Sequence, residues 1–138
     1  MRVSFFLSLL LTYSIILLLY YSKHMRILFV SGSSAGHLAP LVAVEHAAKK
    51  MDPKMKTLFI CSTKKSDADF LTDAGVTFQQ IPAPKKNALF LYDYLRSTSK
   101  AKRILKEFKP DAIFSKGGSV SVPVCKVAKK YGIPVTEQ

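Results

Sequence analysis

The chain has 138 residues, 49% of them hydrophobic, and a formal net charge of +12 at pH 7, which suits one compact domain with a core large enough to fold. Its two cysteines, Cys61 and Cys125, stand in apolar stretches without a second ligand at metal spacing, so buried thiols of a reduced compartment are expected rather than a disulfide or a zinc site. Nucleic acid is the obvious partner for so basic a chain, but no RNA- or DNA-binding motif accompanies the charge and the aromatics fall in apolar runs.

From Val3 to Tyr21 the sequence carries no charge. At 1.5 Å per helical residue it approaches the roughly 30 Å hydrocarbon thickness of a bilayer, and a transmembrane helix is expected. A cleaved signal peptide is the rival reading. Against it, the run exceeds the usual apolar region of about 7–15 residues, no small-x-small site follows, and Tyr20, Tyr21 and Lys23 read as interfacial anchors. Met25 is an alternative start, since Met25-Arg26-Ile27-Leu28 would open the first strand naturally. Arg2 is the only charge in the leader, so the basic body, led by Lys23 and Arg26, is expected on the cytoplasmic side of a single-pass membrane protein. Residues 1–24 then form an anchor and joint, and residues 25–138 the domain. Lysine and arginine beside an anchor suit an anionic leaflet or an anionic, lipid-linked substrate.

Beyond the joint, strands are expected at Arg26–Ser31, Lys56–Ser62, Val76–Ile81, Ala112–Ser115 and Pro134–Thr136. Helices are expected at Leu38–Met51, Ser66–Ala74, Tyr92–Phe108 and Val120–Tyr131. In the first of these, Leu41, Val44, Ala48 and Met51 share a face opposite Glu45, His46, Lys49 and Lys50. In the long one, Leu91, Leu95, Ile104, Leu105 and Phe108 oppose Arg96, Lys100, Arg103 and Lys106; in the last, Val120, Val124, Val127, Ala128 and Tyr131 oppose Lys126, Lys129 and Lys130. Gly75, Pro110-Asp111 and Gly132 supply the punctuation. The alternation implies an α/β, Rossmann-like, doubly wound parallel sheet of order 3-2-1-4-5. Pro82–Asn87 is a basic loop suited to lie against lipid headgroups.

Two strand–glycine–helix turns carry the chemistry: Gly32-Ser33-Ser34-Ala35-Gly36-His37 after the first strand and Ser115-Lys116-Gly117-Gly118-Ser119 after the fourth. Such turns offer backbone N–H groups and a helix N-terminus to an anion, usually a phosphate. Strands one and four flank the switch point of the sheet, so the turns should face each other across one crevice and hold a diphosphate from two sides. Gly36, Gly117 and Gly118 would also permit tight turns. His37, at a helix start, would tend to be neutral and able to take a hydroxyl proton or to donate to phosphate, against the plainer reading of an ordinary helix-start histidine. Lys116 would pair with phosphate or be solvated. Glu137 and Gln138, at the end of the last strand, are candidate ligand contacts. His24 and His46 read as a juxtamembrane and a surface residue.

These motifs resemble the MurG-type glycosyltransferases of family 28, specifically their N-terminal, acceptor-binding half. The resemblance runs from Met25 onward through Gly32–His37 with Leu38-Ala39-Pro40-Leu41-Val42-Ala43-Val44-Glu45, Lys109-Pro110-Asp111, Ser115–Pro123, and Gly132-Ile133-Pro134-Val135-Thr136-Glu137-Gln138. It implies half of a GT-B fold and inverting transfer of N-acetylglucosamine from UDP-GlcNAc to a polyprenyl-diphosphate-linked sugar in peptidoglycan synthesis, without cofactor or protein-bound catalytic metal. On it, Ser34, Ala35, Gly36, Gly117, Gly118 and Ser119 hold the acceptor diphosphate and His37 assists the attacking hydroxyl. Ser33 and Ala35 depart from glycines common in the first loop, Ser119 from an aromatic, and Thr136 from a histidine before Glu-Gln. The family's UDP-sugar-binding half is not represented, so the chain alone is expected to be inactive. It then reads as a fragment or as one subunit of a split enzyme, similar to the membrane-anchored subunit of the eukaryotic dolichol-linked transferase. The alternative is a non-catalytic membrane scaffold that recruits a separate UDP-sugar-binding subunit.

Overall fold

Strands joined only through helices pair in parallel, and their helices must cover both faces of the sheet. The computed structural model describes residues 2–22, 24–32 and 35–137. Helix α1 (Arg2–Ser22) is followed by β1 (Arg26–Val30), α2 (Ala35–Met51), β2 (Lys56–Cys61), α3 (Lys65–Asp73), β3 (Phe78–Gln80), α4 (Phe90–Phe108), β4 (Ala112–Ser115), α5 (Ser121–Lys130) and β5 (Val135–Glu137). The strands are all parallel, in the expected order β3-β2-β1-β4-β5.

Phe29 sits at the middle of this sheet, in register with Phe59 on β2 and Phe114 on β4. Its ring lies 4.9 Å from that of Phe59 and 6.1 Å from that of Phe114. Alternation along the strands sends Phe29, Phe59 and Cys61 under α2 and α3, where Leu38, Leu41 and Leu71 meet them. Leu28, Val30, Leu58, Ile60 and Ile113 take the other face, against Ala101, Ile104 and Leu105 of α4 and Val124, Val127 and Ala128 of α5. Each large apolar side chain buried this way contributes about 1.5–3 kcal/mol. Cys61 and Cys125 are buried free thiols. Gly75 and Gly132 take positive φ, +71° and +70°, just past α3 and α5.

Several expectations are corrected. Helix α2 begins at Ala35 rather than Leu38, because Leu38, Leu41 and Val42 are all buried on one face and a preceding turn brings Leu38 into it. On α2, Val44 and Met51 are exposed, whereas Glu45, expected on the polar face, is 1% exposed. Its Oε1 accepts a hydrogen bond from Thr57 Oγ1 at 2.7 Å and lies 2.8 Å from Lys49 Nζ. The α4 face also differs: Leu91 and Leu95 are exposed, and Ser97, Ala101, Ile104 and Leu105 form the buried side. At 19 residues α4 is about 28 Å long, while the longest strand has 6 residues, so its first turns overhang the sheet. Tyr131, expected with the apolar face of α5, is exposed.

The leader is helical, but the single-pass membrane placement expected for it is overturned. Among the described residues no helix is long and apolar enough to cross a membrane.

Candidate functional site

Both glycine turns leave the carboxyl end of the sheet from adjacent strands, since Val30 of β1 is in register with Ser115 of β4. Ser31 N–H donates to the Ile60 carbonyl and Lys116 N–H to the Val30 carbonyl, carrying each ladder one residue past its strand. The turns then touch through their main chains. A Cβ built on Gly118 would lie 2.6 Å from the Gly32 carbonyl oxygen, and one on Gly32 would lie 2.9 Å from Val120 Cγ2. Gly118 at φ +98° and Gly117 at φ +87° are in the region that disfavours side chains. Gly32, directly after a strand and before a helix, makes this contact although in the sequence it is only the opening residue of its motif.

Two serines that the sequence did not single out hold the second turn. Ser115 Oγ accepts the Gly117 N–H at 3.3 Å, and the Ser121 hydroxyl donates to the Gly117 carbonyl at 2.7 Å. Ser121 N–H also donates to the Gly118 carbonyl at 3.1 Å. Ser115 and Ser121 are both buried, while the bonds they make to Gly117 are part-buried at the edge of a recess. Ser121 could have been found as a hydroxyl four residues beyond Gly117, one helical turn on.

Ser115, Gly117, Gly118, Ser121, Val122 and Glu137 line a recess of about 360 Å³. Glu137 reaches it because its strand register sets it beside Ser115, and its carboxylate lies 4.0 Å from Lys129 Nζ. Behind this wall, burial pushes the Cys125 thiol above its usual range; a hydrogen bond with Ser115 pulls the other way and the Glu137 charge adds to the rise. On the other face of the sheet, burial and the Asp67 carboxylate push Cys61 up to about 12.

The structure therefore brings Gly117, Gly118 and Glu137 together. Lys116 and Ser119 are half-buried neighbours in the same turn. Gly36 and His37 lie exposed in the first turn of α2 and do not line the recess. Gly36 is helical there, not a positive-φ turn residue. Ala35 opens that helix; Ser34 and Gln138 lie outside the described residues.

Residues 27–137 match the glycosyltransferase family 28 N-terminal domain. The chain belongs to this family. Within family 28, it is 32% identical over 117 residues to the UDP-N-acetylglucosamine–N-acetylmuramyl-(pentapeptide) pyrophosphoryl-undecaprenol N-acetylglucosamine transferase of Lactococcus lactis, covering 80% of this chain and 33% of that protein. It is 34% identical over 119 residues to the enzyme of the same name from Lactobacillus helveticus, covering 80% and 32%. The chain thus spans about a third of the length of the curated relatives it matches. Among solved structures, MurG of Acinetobacter baumannii superposes with a TM-score of 0.71 at 22% identity, covering 82% of this chain and 34% of that one. The UDP-GlcNAc 2-epimerase of Neisseria meningitidis gives 0.61 at 17%, covering 82% and 32%. At these identities the structural likeness is one of fold, so the family 28 assignment rests on the sequence matches.

Proposed function

We propose that this chain is the acceptor-binding part of a family 28 glycosyltransferase that moves N-acetylglucosamine from UDP-GlcNAc to a sugar carried on a polyprenyl diphosphate. The observation that carries the reading is the pair of glycine turns joined main chain to main chain at Gly32 and Gly118, over adjacent strands. Backbone amides at the starts of α2 and α5 suit an anionic ligand, and a diphosphate offers one phosphate to each. In this reading residues 34–36 serve one phosphate, and Gly117, Gly118 and Ser119 the other. Lys116 offsets charge, and Glu137 contacts the sugar side of the acceptor. His37 takes the proton of the attacking hydroxyl. The curated relatives are named for the same donor and for a pyrophosphoryl-undecaprenol acceptor, which supports this choice of substrates.

An inverting transfer requires donor and acceptor in near-attack geometry, so the UDP-sugar is held by a second domain, in the same polypeptide or in a partner subunit. The test is transfer of labelled N-acetylglucosamine by this chain combined with a family 28 donor-binding domain. His37→Ala is expected to lower turnover about 10²–10⁴-fold with unchanged thermal stability. Full activity of that variant would remove His37 from the chemistry. Failure of every combination to transfer, with the partner domain still bound, would favour a scaffold.

A further inference from the structure

The amino end of the sheet, opposite the glycine turns, carries a second concentration of charge. His24, Arg26, Lys56 and Lys109 line a recess of about 340 Å³, within the range of small-ligand sites. Arg26 and Lys56 are register partners on neighbouring strands, an arrangement that places like charges side by side at a cost in stability. Their carboxylate neighbour Asp111 accepts the Arg26 backbone N–H at 2.8 Å and is not part of the recess lining.

The guanidinium of Arg26 is held in place. Its Nη1 donates to the Phe108 carbonyl at 2.7 Å, and its Cζ stands 5.9 Å from the Phe108 ring centre. That leaves further N–H groups of a five-donor fork unassigned to this bond. Lys109 caps α4 in the left-handed conformation at φ +50°, where glycine or asparagine is the usual occupant. Among the described residues neither the Lys56 nor the Lys109 ammonium has a carboxylate partner, in contrast to Lys49, Lys65 and Lys129. A fixed guanidinium, two unpaired ammonium groups and an imidazole around one recess suit a multiply charged oxyanion better than a single carboxylate.

We infer that this recess binds a phosphate group, from a soluble phosphate or diphosphate ester or from a lipid headgroup, independently of the glycine turns. The test is a titration of the ¹⁵N-labelled full chain with inorganic phosphate and with pyrophosphate, followed by amide shifts. A second arm measures retention on phosphatidylcholine vesicles with and without phosphatidic acid. Saturable shifts at residues 24–26, 56 and 109 are expected for a soluble source, and retention dependent on phosphatidic acid for a headgroup. In whichever arm binds, the double variant Lys56→Gln, Lys109→Asn should weaken binding at least about tenfold, and rising salt should weaken it further. Both lysines are exposed, so its thermal stability should hold; should the pair fail to fold, Lys56→Gln alone carries the test. Shifts confined to residues 117–121, no binding in either arm, or equal binding by the folded variant would overturn the inference.

Discussion

The two glycine turns look alike as sequence and are built differently. The second is rigid by construction: two positive-φ glycines, a serine hydroxyl on each side of the Gly117 peptide, and a main-chain contact onto Gly32. The first is an opening turn of helix, with Gly36 and His37 exposed and Pro40 unable to donate to the Gly36 carbonyl. The difference separates positioning from chemistry. In the proposed reading the braced turn would supply fixed donors, and the open turn would present His37 to the attacking hydroxyl.

The largest test of that contrast is Gly118→Val. A Cβ 2.6 Å from the Gly32 oxygen, on a backbone at φ +98°, should cost roughly 3 kcal/mol through combined strain and overpacking. A denaturant midpoint close to that of the natural chain would show that the turns are not locked together. Gly118 is thus a poor probe of phosphate approach, contrary to the simplest reading of a glycine in a phosphate loop. Gly117 is the cleaner one: a Cβ there meets nothing within 4 Å, so Gly117→Ala should cost about 1–2 kcal/mol from its φ of +87° alone.

The thiols under the two faces respond to alkali. Cys61 is raised from its usual 9.0 to about 12, so the folded state holds a proton that the unfolded state releases. Its contribution is intact below pH 9 and is lost as pH climbs toward 12, with about 2 kcal/mol gone by about pH 10.5. Guanidinium titrations across that interval should show a shallower decline in Cys61→Ala than in the natural chain; parallel declines would exclude Cys61 as the source.

Smaller effects complete the comparison. Ser121→Ala removes the hydroxyl bond to the Gly117 carbonyl and should cost about 1 kcal/mol, with Ser121→Thr recovering most of it. Gly36→Ala, at a helical position, should be neutral or stabilise by up to about 0.5 kcal/mol. A Gly36→Ala melting temperature well below that of the natural chain would mean that the first turn, too, depends on a bare backbone.

Strand order and the pairing of the turns were legible because each glycine turn follows a recognisable apolar strand. Periodicity failed where a side chain's fate is decided by a distant partner. Glu45 reads as solvent-facing until Thr57 of β2 and Lys49 converge on it. Leu91 and Leu95 follow the helical stripe yet run past the end of the sheet beneath them. The bracing by Ser115 and Ser121 was invisible because a serine beside a glycine turn reads as ordinary loop chemistry. The leader's apolar run predicted its helix but not its placement.

The Gly32–Gly118 junction also has a consequence for the order of folding. Its halves are separated by β2, α3, β3 and α4, all of which are synthesised before β4 can dock on β1. During translation the first turn therefore exists without its counter-surface until the second turn and the start of α5 have left the ribosome. The junction between the two turns is assembled late, on a sheet whose other half has already had time to form.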